Sequence, residues 1–166
     1  MIVYQATKAQ FIDDVFSNNI ENIILATFKD KLHRTTTHSE IQAWKNSMRC
    51  MSDIMRDEGI PTDANISIEF QIPQTSKRID FIITGQDEKG EDRVIIIELK
   101  QWSTADMTTK DAIVSTFIGG TEREVSHPSY QAWSYAALLR DFNETVYKEH
   151  IQLQPFAYLH NYDDDG

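Results

Sequence analysis

Apolar residues recur at helical spacing from Lys8 to His33. Phe11, Ile12, Val15 and Phe16 form one stripe, and Ile20, Ile23, Ile24 and Phe28 form a second. Ser17-Asn18-Asn19 separates them, so the pattern predicts two helices. A third helix is predicted to start at Ser39, with Gln42 three residues on in a capping-box pattern. Ile41, Trp44, Met48, Met51 and Met55 carry its apolar face, and Gly59 and Pro61 stop it. At this spacing the methionines read as core rather than as a binding groove.

Beyond Pro61 the period changes to two. Ile66, Ile68, Phe70 and Ile72 alternate with polar residues, the pattern of a half-buried strand. Arg78 to Thr84 reads as a second strand and Arg93 to Trp102 as a third, joined by a polar turn over Gly85–Asp92. The three form an antiparallel meander. Ala112–Ile118 and Thr121–Ser126 flank Gly119-Gly120, a hairpin whose turn needs positive φ. Pro128 opens a long helix to about Asn143, with Gln131, Tyr135, Leu138 and Phe142 on one face. Gln152 to Tyr158 is a last strand, despite Pro155. The order predicts a mixed α/β (α+β) domain with helices on a mainly antiparallel sheet.

The length of 166 residues matches one domain. With 40% hydrophobic and 25% charged residues, the chain has globular rather than disordered or collagen-like composition. Apolar runs such as Val94–Ile97 and Tyr135–Leu139 are far too short, so no membrane span is expected. No secretory leader is expected either. A lone cysteine, Cys50, excludes an internal disulfide and a multi-cysteine zinc site and fits a reducing compartment, so a cytoplasmic location is expected. The cysteine itself reads as a small buried hydrophobe.

A net charge of −10 argues against a general nucleic-acid coat, which is normally basic. Any nucleic-acid function would need a local site, metal ions that reverse the local charge, or another domain. The acidity either only keeps the domain soluble or marks a site for a hard cation.

Candidate chemistry sits on the second and third strands. Side chains alternate along a strand, so Glu98 and Lys100 share a face with Val94 and Ile96, while Ile95, Ile97 and Leu99 point the other way. Centring the turn near Glu88-Lys89 sets Asp80 opposite Glu98. Opposed β-carbons lie about 5 Å apart, and like charges there repel. A divalent cation between the two carboxylates removes that cost, and Mg²⁺ commonly takes one or two carboxylates with waters and a phosphate oxygen. Lys100 is then placed to orient or deprotonate an attacking water. The bland alternative is an exposed hairpin whose charges pair at the surface.

Ile79-Asp80 followed by Glu98-Leu99-Lys100 resembles the PD-(D/E)XK nuclease motif, with Ile79 where the name has proline. Gln131-Ala-Trp-Ser-Tyr135 is similar to the Q-x-x-x-Y helix of the RecB-like branch. His127-Pro128-Ser129-Tyr130-Gln131 and Tyr158-Leu-His-Asn-Tyr162 further resemble the N-terminal domain of uncharacterised proteins whose longer members continue into a Schlafen-related DNA/RNA helicase. The resemblance implies a restriction-endonuclease-like αβββαβ core, with extra N-terminal helices and an inserted β-hairpin. It covers roughly Ser39 to His160.

It also implies roles. Asp80 and Glu98 would bind Mg²⁺ or Mn²⁺, with Glu40 as a further ligand, directly or through water. Lys100 would be catalytic, Gln131 would hold a metal-bound water or a phosphate, and Tyr135 would support Gln131 or touch the substrate backbone. The implied activity is metal-dependent hydrolysis of phosphodiester bonds, with nucleic acid as partner and DNA ahead of RNA. The rival is a nuclease-fold module that has lost catalysis and binds nucleic acid or a protein. The implied layout is a domain over 1–162, with an N-terminal helical extension over 1–38 and a core over 39–162. Residues 163–166 would open a linker to a C-terminal helicase domain, since no G-x-x-x-x-G-K-[ST] phosphate loop occurs in the chain itself.

Other residues are ambiguous. His127 precedes the helix carrying Gln131 and either contacts substrate, as helix starts attract phosphate, or closes the helix start by hydrogen bonding. Trp102 either stacks on a base or covers the sheet end. Trp44 and Trp133 read as core. The five histidines lack any paired zinc spacing, and no G-x-S-x-G pattern supports a serine hydrolase.

Overall fold

The computed structural model describes residues 2–32 and 36–163. The expected end of the first helical segment at His33 and the terminal residues 164–166 lie outside the described residues. Tyr4–Thr7 forms a short strand, β1, too brief for alternation to reveal. The Thr7 side chain accepts the Gln10 N–H and starts helix α1 (Lys8–Phe16), and α2 (Ile20–Leu32) follows after the Ser17-Asn18-Asn19 break. Phe16, expected in the first stripe, ends its helix exposed.

Helix α3 (His38–Met55) begins one residue earlier than expected. Thr37 is extended and its hydroxyl accepts the Glu40 N–H at 3.2 Å, so Ser39 already lies inside the first turn. The Ser39–Gln42 capping box therefore does not form, and Gln42 donates to Asn46 instead. Trp44, Met48, Met51 and Met55 are buried as core.

The strands are β2 (Asn65–Gln71), β3 (Arg78–Gln86), β4 (Asp92–Lys100), β5 (Asp106–Met107), β6 (Ile113–Ile118), β7 (Thr121–Ser126) and β8 (Gln152–Leu159). Helices α4 (Pro128–Phe142) and α5 (Glu144–Lys148) precede β8. The main sheet has five strands in the order β1-β2-β3-β4-β8, and β5-β6-β7 form a smaller one. Pairings β1–β2, β2–β3 and β3–β4 are antiparallel, whereas β8 runs parallel to β4 after the α4 crossover. Pro155 is tolerated because β8 pairs on one side only and lies at the sheet edge. The protein is thus a mixed α/β fold with helices on both faces of a mixed sheet.

Two cores result. On one face Phe11, Ile24, Phe28, Trp44, Met48 and Met51 pack on Ile66, Ile68, Phe81, Ile83 and Ile97. On the other, Tyr135, Ala136 and Leu139 of α4 cover Ile72, Ile79, Ile82 and Ile96. The expected single apolar face of β2 is corrected here. Ile66 and Ile68 belong to the first core, whereas Phe70 and Ile72 pack in or against the second. Glu69 between them adopts a φ of 53°, the left-handed region, and so reverses the side to which the strand points. Its neighbour β3 changes sides at the same level, with Phe81 in the first core and Ile79 in the second.

Further corrections concern α4 and its surroundings. Trp133 is 52% exposed and Phe142 is exposed too, because the buried stripe runs through Ala132, Tyr135, Ala136 and Leu139. Cys50 is only half-buried. The β6–β7 hairpin turns on Gly119 and Gly120 at φ 62° and 84°, the pair of positive values that a two-residue type I′ turn requires.

Candidate active site at the end of strands β3 and β4

The site is built by register. Phe81 faces Ile97 and Ile82 faces Ile96, so one further step sets Asp80 opposite Glu98. At that step the ladder gives way to the side chain: Asp80 Oδ2 accepts the Leu99 N–H at 2.9 Å. Alternation along β4 sends Val94, Ile96 and Glu98 toward α4, and Ile95, Ile97 and Leu99 toward the N-terminal helices. Glu98 is 2% exposed, a carboxyl sunk at the end of an apolar strand.

One Glu98 oxygen gathers two donors. Lys100 Nζ and Gln131 Nε2 each reach Oε1 at 2.6 Å. Gln131 also donates to Tyr135 Oη at 2.7 Å, one helical turn along α4. Among the described residues no nitrogen or hydroxyl donor reaches the second Glu98 oxygen, Oε2, which is buried. Lys100 Nζ lies 5.6 Å from the centre of the Trp102 ring. Asp80, Glu98, Lys100, Gln131, Tyr135 and Trp102 are therefore brought together.

Glu40 and His127 are not part of that cluster. Glu40, in the first turn of α3, takes a hydrogen bond from the Thr36 hydroxyl. His127 is exposed, and its Nδ1 accepts the Ser129 N–H at 3.1 Å, so it closes the start of α4. Among the described residues no three His, Cys, Asp or Glu side chains are grouped so as to hold a metal ion. Asp80 and Glu98 remain the pair available to one.

Electrostatics set this corner apart. Loss of hydration pushes Glu98 up from 4.5 to about 7; the Asp80 charge adds to the rise and Lys100 opposes it. Asp80 is raised as well by burial, against the Leu99 N–H and the charges of Lys100 and Arg78. Burial and the Glu98 and Asp80 charges raise Tyr135 to about 12, so it stays a phenol despite the opposing hydrogen bond from Gln131.

A third acid belongs here that the periodicity concealed. Glu69 accepts Trp44 Nε1–H at 3.1 Å and pairs with Arg78 at 2.9 Å. Burial raises it to about 7, with Arg78 opposing and Asp80 adding to the rise. Its position in an alternating strand marked it as an outward polar residue, and the one available signal was an acid interrupting Ile68 and Phe70. Glu69, Asp80, Lys100 and Trp102 line a cleft of about 660 Å³ between α3 and the β6–β7 hairpin, with Ser39, Ser47 and Phe117 on its walls. Gln101 and His160 tie the α3 wall of this cleft to the strand ends, Gln101 by donating to Ala43 O at 3.0 Å and His160 by its 3.0 Å bond to Ser47 one turn on.

Compared with protein-family models, curated proteins and solved structures, the chain has no significant match. The chemistry of the site therefore stands on its own geometry.

Proposed function

We propose that this chain is a metal-dependent phosphodiesterase acting on nucleic acid, built on a restriction-endonuclease-like core. The observation that carries the reading is the state of Glu98. It is buried opposite the Asp80 carboxyl, close enough for the two acids to share a proton, bound through one oxygen to Lys100 and Gln131, and its other oxygen receives no nitrogen or hydroxyl donor. A buried carboxyl left short of donors is costly, and two such groups side by side more so. Two oxygen donors of this kind fit a hard divalent cation, Mg²⁺ or Mn²⁺, that keeps several waters. When bound, the ion lowers the pKa of a water and offsets charge at phosphorus.

The remaining chemistry belongs to the chain. Asp80 and Glu98 hold the ion. Lys100, once released from Glu98, would orient the attacking water and, as the ammonium, counter charge growing on the phosphate; it would take the water's proton only as the free amine. Gln131, held by the Tyr135 phenol, positions Glu98 or a phosphate oxygen. Glu40, in the first turn of α3 where its charge already acts on Glu69, would hold the ion directly or through water. The helicase partner implied by the resemblance belongs to the same proposal, as do the DNA preference and a cytoplasmic setting. Among the described residues no helix is long and apolar enough to cross a membrane.

The test is incubation of labelled single- and double-stranded DNA and RNA with Mg²⁺, with Mn²⁺ and with chelator. Metal-dependent cleavage by wild type that is lost in Lys100→Ala supports the enzyme. Binding without cleavage under every metal supports the inactive module, which the closed Lys100–Glu98 ion pair and the acidic surface favour.

A further inference from the structure

The walls of the cleft say which form of nucleic acid it takes. Lys100 is the one cation among its lining residues, against the two carboxylates Glu69 and Asp80. A site that gripped a duplex through its phosphates would present a row of lysines and arginines. The non-polar walls instead carry aromatic rings. Trp102 is half-buried under Lys100, and Phe117 is 63% exposed on the facing strand β6. What sets Phe117 apart from the other exposed apolar side chains, such as Phe16 and Phe142, is its place on the cleft wall with Trp102, and every base offers a face to such a ring.

The hairpin bearing Phe117 is fastened at two points. Thr116, 1% exposed, donates to Thr104 O at 2.7 Å, which ties β6 to the segment just after Trp102. At the hairpin base, His127 N donates to Ala112 O at 2.8 Å. These ties hold the backbone that carries Phe117 against the segment after Trp102, so both rings line the cleft without a ligand. Bases inside a duplex are stacked on each other and unavailable to either ring, whereas an unpaired strand can offer them.

We infer that the cleft binds an unpaired nucleic-acid strand by stacking bases on Trp102 and Phe117, with few phosphate contacts. This rests on the reading of the cleft as a nucleic-acid site. It has a consequence that basic single-strand grooves do not share. Affinity falls with salt at a slope of about −0.7 per phosphate neutralised, so a site with one lysine shows a slope no steeper than about −1.

The experiment is fluorescence anisotropy of a labelled 12-nucleotide strand and of its duplex, with Ca²⁺ as the oxygen-seeking cation and the intactness of the strand checked on a gel. Expected results are binding of the strand at least tenfold tighter than the duplex and a shallow salt slope. Phe117→Ala should weaken strand binding by about fivefold or more, the low end of one stacking contact, and Phe117→Tyr should restore it. Phe117 is exposed, so its loss leaves the core intact; Trp102→Ala is the second variant and should act in the same direction. Equal affinity for duplex, a slope of several phosphates, or a Phe117→Ala chain that binds as wild type would overturn the inference. Cleavage of duplex in preference to single strands overturns this inference and leaves the phosphodiesterase reading standing. Binding of the unpaired strand without cleavage under any metal does the reverse.

Discussion

Lys100 Nζ and Glu98 Oε1 are 2.6 Å apart, two residues along the same strand and on the same face. The pair is 21% and 2% exposed at its side chains, so it is nearly removed from water. Breaking one partner of such a pair leaves a buried charge uncompensated. The pairing therefore links the chemistry to the stability of the fold, and variants at this corner must be read for both.

Lys100→Ala should lower cleavage by about 10²–10⁴-fold, the usual range for losing a positioned acid–base group. It should keep metal binding, since lysine supplies no ligand oxygen. Glu98→Ala should lose both. Gln131→Ala should cost less, because Lys100 still holds the same Glu98 oxygen. Single-turnover cleavage and calorimetric metal titration separate these cases. A Lys100→Ala chain that cuts as fast as wild type would remove lysine from the mechanism while leaving the cleft.

Stability should depend on pH with an uncommon sign. Glu69 and Glu98 each stand near 7 in the fold, chiefly through burial, against an ordinary 4.5. Between those values the folded chain holds protons that the unfolded chain has released. Their contribution is full below about pH 4.5 and is lost as pH rises through about 7. In the absence of metal, the melting midpoint should be higher at pH 5.5 than at pH 8. The difference should be on the order of 1–3 kcal/mol for each group, at about 1.4 kcal/mol per pKa unit. Glu69→Gln should flatten the profile, and a wild-type midpoint that rises from pH 5.5 to 8 would contradict the assignment.

Much of this corner was legible because strands impose a strict geometry. Alternation put Glu98 and Lys100 on one face, and the turn between β3 and β4 fixed the register that sets Asp80 opposite Glu98. Helix α4 was legible for a similar reason: Pro128 marks its start, and Gln131 and Tyr135 at i and i+4 reach one place. What stayed hidden were departures from period. Glu69 adopts a backbone angle that residue type does not announce, and its reversal of β2 sends Ile68 and Phe70, which flank it, to different cores. Strand β1 was too short to carry a pattern. Trp133 has apolar neighbours in sequence, yet the buried stripe passes beside it. The role of Phe117 depends on where a hairpin folds back, which no local pattern encodes.

Metal should reverse the pH trend. At pH 8 Asp80 and Glu98 are the groups with most to gain from a cation, and binding only the folded state raises stability by about 2.7 kcal/mol at a hundredfold excess over Kd. Millimolar Mg²⁺ or Mn²⁺ should raise the melting midpoint at pH 8 and do much less at pH 5.5, where protons occupy the same oxygens. Glu98→Gln should abolish the shift. Glu40→Gln should keep most of it, because Asp80 and Glu98 still hold the ion and the Glu40 carboxylate is engaged by Thr36. Differential scanning fluorimetry across the two pH values reads all four arms, and an unchanged wild-type midpoint at pH 8 would favour the binding module.

Glu69 should matter to activity without touching substrate. Its left-handed backbone costs about 1–2 kcal/mol for a residue with a β-carbon, so compensating contacts must hold it there. Those contacts are the Trp44 indole on α3 and the Arg78 guanidinium on β3, one for each carboxylate oxygen. Glu69→Ala removes the acceptor for the Trp44 indole and the counter-charge to Arg78, and should destabilise the fold by about 1–3 kcal/mol, the usual penalty for a buried group left unpaired. It also frees the strand reversal opposite Asp80. A displacement of about 1 Å in a catalytic group can cost 10²-fold in rate. Glu69→Gln can still accept from Trp44, so it should retain the reversal and most of the activity while losing the charge pairing to Arg78. The ordering wild type, then Glu69→Gln, then Glu69→Ala should appear in kcat, with folding checked by circular dichroism. Equal turnover in Glu69→Ala and wild type would reduce Glu69 to a structural contact between α3 and the sheet.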